Sequence, residues 1–142
     1  MQGPDSLSIV VFAGGFDRVH YALVMASAAA ATNRKVTLFF TGRALNALVE
    51  SPEPGWHALD PADDGSAPAE RDAYFGANGL ATFEELLGAC VALGCTVMAC
   101  EMGLKALGLP TGVGLRPDVP VTRGGVVTFL NEGSAGGAML FV

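Results

Sequence analysis

The sequence predicts an α/β protein, a parallel sheet with helices on both faces, and three observations carry this. Ser8-Ile-Val-Val-Phe-Ala13 and Val36-Thr-Leu-Phe-Phe40 are β-branched or aromatic runs, apolar without alternation, as strands buried on both faces are. Between such runs stand segments with a 3.6-residue apolar period, the crossovers that parallel strands require. The 142 residues suffice for one core, so residues 1–142 are expected to form a single domain.

The elements follow in order. The first strand stops at Gly14-Gly15, and a helix follows with Asp17 as its expected cap. Val19, Ala22, Leu23, Ala26, Ala29 and Ala30 give that helix a smooth apolar face. Asn33 to Lys35 turn the chain into the second strand, and Ala44 to Val49 then make a short helical pattern. From about 51 to 79 the texture changes to prolines, glycines and a carboxylate excess, which predicts an irregular acidic insertion tied down by Trp56, Tyr74 and Phe75. A loop of that length is either a lid or subunit-contact segment, or an insertion without a role.

Thr82-Phe-Glu-Glu85 is a capping box opening a helix whose apolar arc holds Phe83, Leu86, Leu87, Cys90, Val91 and Leu93, with Gly94 as its stop. Thr96 to Ala99 is a third strand ending at Cys100, and Glu101 to Leu107 a short helix closed by Gly108. The apolar patch Val119 to Val121 is expected as a fourth strand, Gly125 to Leu130 as a helix or turn, and Ala138 to Val142 as the last strand. Five strands in a three-layer α/β/α arrangement fit the flavodoxin-like order 2-1-3-4-5, mainly parallel. In that order the first and third strands are neighbours, which would set Gly14, Gly15 and Phe16 beside Cys100 at the carboxyl-end crevice.

Composition narrows the function. Eight basic against fourteen acidic residues give a net charge of −6, which argues against a grip on nucleic acid or anionic lipid. Apolar residues are 51% and charged residues 15% of the chain, a dry composition that points to surface buried in a homo-oligomer. No run is long and apolar enough for a membrane span, and Met1 to Ser8 lacks the features of a secretory signal, so a cytoplasmic protein is expected. No Ser-His-Asp set, phosphate-binding glycine pattern or dinucleotide fingerprint occurs, so neither hydrolysis nor a cofactor is called for.

The three cysteines, at 90, 95 and 100, fit no zinc or C-x-x-C spacing, and no metal is expected. Cys90 falls on the apolar arc of its helix and Cys95 opens a strand, both structural positions. Cys100 lies where a strand ends and a helix begins, where free amides favour thiolate, so it is either the functional thiol or a buried inert one. Arg18 and His20 at the crevice rim are candidate cations for it, and Arg43 has a similar position, whereas His57 reads as a loop histidine. Met98 and Met102 flank Cys100 as core filling rather than ligands.

Lys35-Val-Thr-Leu-Phe-Phe-Thr41, Met98-Ala-Cys-Glu-Met-Gly-Leu-Lys-Ala-Leu-Gly108, Gly124-Gly-Val-Val-Thr-Phe-Leu130 and the terminal Leu140-Phe-Val142 resemble, in order and spacing, the DsrE/DsrF-like family of sulfur-relay proteins, in its DsrE-like, peroxiredoxin-like branch. The resemblance covers most of the chain outside the insertion, and Gly103 stands where that branch often has Ser. It implies a flavodoxin-like domain that assembles into oligomers and carries sulfane sulfur as a persulfide on one cysteine, here Cys100. Sulfur-donor and sulfur-acceptor proteins are the implied partners, and sulfurtransfer the implied chemistry. The candidate site then comprises Cys100, with Gly14, Gly15, Phe16, Asp17, Arg18, Thr41, Glu101 and Met102 around the sulfur. The competing expectation is a non-catalytic oligomeric binding module in which Cys100 is inert. A thiol redox role for Cys100 would need a resolving cysteine within about 7 Å between Cα atoms, and neither Cys90 nor Cys95 has the position for it.

Overall fold

The computed structural model describes residues 3–50, 54–109, 114–132 and 137–142. β1 (Ser6–Val11), β2 (Lys35–Phe40), β3 (Thr96–Cys100), β4 (Val121–Gly124) and β5 (Ala138–Phe141) form one sheet in which every pair is parallel. The flavodoxin-like α/β class holds, but the order is β4-β3-β2-β1-β5 and not 2-1-3-4-5. β2 therefore separates β1 from β3, and β5 takes the free side of β1. The first three strands are alike in length and apolarity, so nothing local in them distinguishes the two orders.

This order decides where the helices lie. The steps from β1 through β4 all run in one direction, and right-handed crossovers place their helices on one face; the return from β4 to β5 places its helix on the other. The crowded face carries α1 (Phe16–Ala31), α2 (Pro68–Ala77), α3 (Phe83–Ala92) and α4 (Glu101–Ala106), with two 3-10 segments, Gly42–Leu48 and Gly55–Ala58. The opposite face carries α5 (Val126–Glu132). Strand residues alternate accordingly: Ile9, Leu38, Phe40, Val97 and Ala99 join the large core, while Phe39, Met98 and Cys100 join a small one with Phe129 of α5. Each fully buried large side chain of the main core contributes about 1.5–3 kcal/mol.

Several elements differ from expectation. Gly15, not Asp17, is the N-cap of α1, and Asp17 lies inside the first turn with its carboxylate accepting from the Asp63 amide at 2.8 Å. The insertion holds α2, because Pro68 occupies the first turn of a helix, where a missing N–H costs nothing. β4 begins at Val121, whereas Val119 is buried in the connection before it. Leu93 lies past the end of α3 as its C-cap and is 48% exposed. The capping box is formed, with Glu85 N donating to Thr82 Oγ1 and Thr82 N to Glu85 Oε1.

The insertion is docked on the crowded face. Trp56 is buried and stacks on Phe83 at 5.0 Å between ring centroids, and Phe16 lies 5.9 Å from it. Phe75 packs on the His20 ring at 4.7 Å, whereas Tyr74 is exposed beneath the Arg71 guanidinium. The Trp56 indole donates to Glu84 at 2.7 Å, and Arg116 grips both Glu84 oxygens at 2.7 Å and Asp118 at 2.7 and 3.0 Å. This network ties the insertion, the start of α3 and the 114–120 connection together. Among the described residues no helix is long and apolar enough to cross a membrane.

The hydrogen bonds from Arg116 hold the Glu84 and Asp118 carboxyls below their ordinary range. A depressed folded-state value contributes stability above the unfolded value, about pH 4, and that stability is lost as acid protonates the folded carboxylates. Thermal melts are expected to fall through this window and to fall less steeply in Glu84→Gln; equal slopes would show that the network carries no linked stability.

Candidate functional site

The site is built around Cys100, the last residue of β3 and the N-cap of α4. Its backbone is extended (φ −68°, ψ 120°), and its Sγ accepts a hydrogen bond from the Gly103 amide at 3.5 Å. The sulfur thus stands in for the side-chain oxygen that usually accepts from the first free amides of a helix. Alternation along β3 turns the Cys100 side chain toward α5, where it is 4% exposed beside Phe39, Met98 and Phe129. Phe129 stacks on Phe39 at 4.7 Å with 14° between the rings, and it is the buried residue of α5. One aromatic side chain therefore pins the helix that covers the sulfur.

The first turn of α4 also presses on the end of β2. A Cβ on Gly103 would lie 2.7 Å from Leu45 Cδ1, 3.3 Å from Thr41 Oγ1 and 3.4 Å from Gly42 N. Glycine at 103, where the resembling branch often has Ser, thus has a steric cause in this chain. Thr41 is half-buried against that turn, one strand away from the cysteine. Glu101 and Met102 are exposed on the first turn of α4, Met102 to 77%.

The remaining candidates lie elsewhere. Gly14, Gly15, Phe16, Asp17 and Arg18 follow β1, across β2 from Cys100, and the insertion covers their turn. Asp60 N donates to Gly14 O at 2.8 Å, Phe16 N donates to Asp60 O at 3.1 Å, and a Cβ on Gly14 would collide with Arg43 and Asp60. Phe16 is fully buried in the large core, on the face opposite the Cys100 side chain. The pocket expected from the Gly14 to Asp17 turn with Thr41 is therefore not formed around the sulfur, because β1 and β3 are not neighbours.

The expected cations also lie away from Cys100. Arg18 is exposed on α1, and the His20 Nε2 is 3.0 Å from Ala81 O. Arg43 is bidentate on Asp60, whose carboxyl it holds below the ordinary range, and His57 packs edge-on against Trp56 at 4.2 Å. No cluster of three His, Cys, Asp or Glu among the described residues is arranged for a metal ion.

Phe129 and Phe39 are the site residues that sequence reasoning missed. The signal for Phe39 is its parity: it alternates with Phe40, so one of the two had to face away from the large core. For Phe129 it is the lone aromatic ring in the α5 segment.

Fold and site define a flavodoxin-like α/β domain with a buried cysteine capping the helix after its third strand. The chain belongs to the DsrE/DsrF-like family, whose model matches residues 7–136. Two solved structures share the fold. A protein of unknown function from Methanobacterium thermoautotrophicum, MTH1491, is 15% identical with a TM-score of 0.62, over 96% of this chain and 98% of that one. A conserved protein of unknown function from Bacteroides thetaiotaomicron, BT1422, is 12% identical with a TM-score of 0.55, over 97% and 95%. No curated protein matches the chain.

Two substitutions check the geometry. Gly103→Ala is expected to cost about 1–3 kcal/mol of unfolding free energy through overpacking, while Gly88→Ala, in open space on α3, gains about 0.5–1 kcal/mol. Phe129→Ala is expected to cost about 3 kcal/mol and to speed alkylation of folded Cys100 at least about tenfold. Denaturant titration and timed alkylation read both, and an unchanged alkylation rate would show that α5 does not guard the sulfur.

Proposed function

We propose that this protein is a sulfur carrier, holding sulfane sulfur as a persulfide on Cys100 and passing it to an acceptor thiol. The observation that carries the reading is the Gly103 amide on Cys100 Sγ, inside an apolar cage, in a member of a family consistent with sulfur relay. The amide holds the sulfur in place, and the rings of Phe39 and Phe129 keep water and stray thiols from it.

The transfer is a pair of exchanges at sulfur. The Cys100 thiolate attacks the outer sulfur of a donor persulfide; the new S–S bond forms as the old one breaks, and the donor leaves as a thiolate. An acceptor thiolate then attacks the outer sulfur and Cys100 leaves, again as a thiolate, so no net oxidation occurs. Because Cys100 is 4% exposed, each exchange requires α5 to lift, and with Phe129 the one buried residue of this short helix that is a local opening. Thr41, Glu101 and Met102 stand nearest in the chain or fold to receive a partner at the rim. Donor and acceptor are proteins of the reducing cytoplasm, where three free cysteines persist.

The second reading, a non-catalytic module with an inert Cys100, is favoured by the same burial and by the commitment of His20 and Arg43 elsewhere. Mass spectrometry after incubation with polysulfide separates the two. The carrier gains a reducible sulfur mass at Cys100 and none in Cys100→Ser; a folded protein whose Cys100 takes up neither sulfur nor alkylating reagent is the module.

Both readings include self-association. Phe12, Phe141 and Met139 on the β1–β5 side, and Val126, Val127 and Leu130 on α5, are 44–71% exposed, and the Phe12 and Phe141 rings lie 5.7 Å apart. Six exposed apolar side chains on a chain of 51% apolar residues suit contact with a second copy of itself. Light scattering is expected to give an oligomer for the wild type and a monomer for the double substitution Val127→Asp, Phe141→Asp; a monomeric wild type contradicts this.

A further inference from the structure

α3 ends in a left-handed turn at Gly94, φ +84°. Two backbone hydrogen bonds close it, Gly94 N to Val91 O at 3.1 Å and Cys95 N to Cys90 O at 3.0 Å. This is the Schellman pattern, in which the residue beyond the glycine meets the one five positions earlier. Both of those positions are cysteines in this chain. Their sulfurs point at carbonyls about one turn apart on α1, Cys90 Sγ at Leu23 O (3.8 Å) and Cys95 Sγ at Ala26 O (4.0 Å). Cys90 is buried, Cys95 half-buried, and both are free thiols.

An apolar contact across a Schellman turn needs only two aliphatic side chains, whereas two cysteines bring redox chemistry to it. We propose that Cys90 and Cys95 form a redox-active dithiol that closes to a disulfide across the Gly94 turn, with a hydroperoxide as oxidant. The Cys95–Cys90 backbone bond keeps the two residues within the reach a disulfide needs, roughly 4.4–6.8 Å between Cα atoms. The two neighbouring thiols influence each other, which with burial raises the Cys90 thiol above its ordinary value, while the pairing lowers that of Cys95. Cys95, half-buried where Cys90 is buried, is the sulfur a peroxide can reach and so the attacking one, with Cys90 the resolving one.

The Cys95 thiolate attacks the terminal peroxide oxygen; the O–O bond breaks, the other oxygen leaves and is protonated to an alcohol (water when the oxidant is hydrogen peroxide), and a sulfenic acid remains. Cys90 attacks that sulfur, the S–O bond breaks, water leaves with the Cys90 proton and the S–S bond forms. Two electrons pass from the sulfur pair to the peroxide. The carbonyls of Leu23 and Ala26 offer both thiols acceptors for their protons, so the reaction is a slow one. Cys100 takes no part: it sits at the other end of β3, about 16 Å away at 3.3 Å per residue, with its side chain toward α5. The proposal is therefore independent of sulfur carriage.

The test treats folded Cys100→Ser with hydrogen peroxide, alkylates it after unfolding, and weighs it. The expected result is the loss of two hydrogen masses and of both alkylation sites together, restored by dithiothreitol. In Cys90→Ala, Cys95 is expected to proceed to sulfinic acid instead. Two fully alkylatable thiols after treatment, or sulfinic acid at Cys95 while Cys90 stays free in the intact pair, would overturn the proposal.

Discussion

Parallel strands can be joined only by crossovers, and those crossovers turn right-handed. In this chain the first four strands step one way across the sheet and the fifth returns, so among the described residues α1 to α4 crowd one face while α5 stands on the other. Everything that gives Cys100 its character depends on that imbalance. On the crowded face a residue is sealed under many contacts; on the sparse face it lies beneath a seven-residue helix fixed by Phe129. The parity of β3, which sends Val97 and Ala99 one way and Met98 and Cys100 the other, assigns the cysteine to the sparse side.

The same imbalance separates two tasks within one small domain. Trp56, Glu84 and Arg116 bind the insertion to the crowded face and stabilise the structure, and the Gly14 to Asp17 turn is consumed in holding Asp60 and Asp63. The acidic segment is part of the scaffold and not a cover for the cysteine. The sparse face keeps the exposed apolar strip and the one thiol capped by an amide. Gly103 joins the two faces, because the close approach of α4 to Thr41 and Leu45 sets the amide that reaches the sulfur.

Much of this was legible in the sequence. The α/β class, the apolar face of α1, the capping box of α3 and the strand-end position of Cys100 follow from local periodicity and cap chemistry, which the final structure retains. The strand order was not legible, since β1, β2 and β3 are equally apolar and pairing partners are chosen by long-range packing. That one undetermined fact misplaced Gly14, Gly15, Phe16, Asp17 and Arg18 beside the cysteine. α2 was hidden because prolines read as breaks, although Pro68 sits where a proline starts a helix. Phe129 was hidden because its role comes from the return crossover, which no local pattern announces.

The central claim is that Cys100 holds an extra sulfur in the cage of Phe39, Met98 and Phe129, and a crystal structure of the polysulfide-treated protein tests it most directly. The account predicts density for one additional atom bonded to Cys100 Sγ, beneath a displaced or re-seated α5. An unmodified Cys100 under an undisturbed Phe129–Phe39 stack, with added sulfur at Cys95 or nowhere, would contradict it.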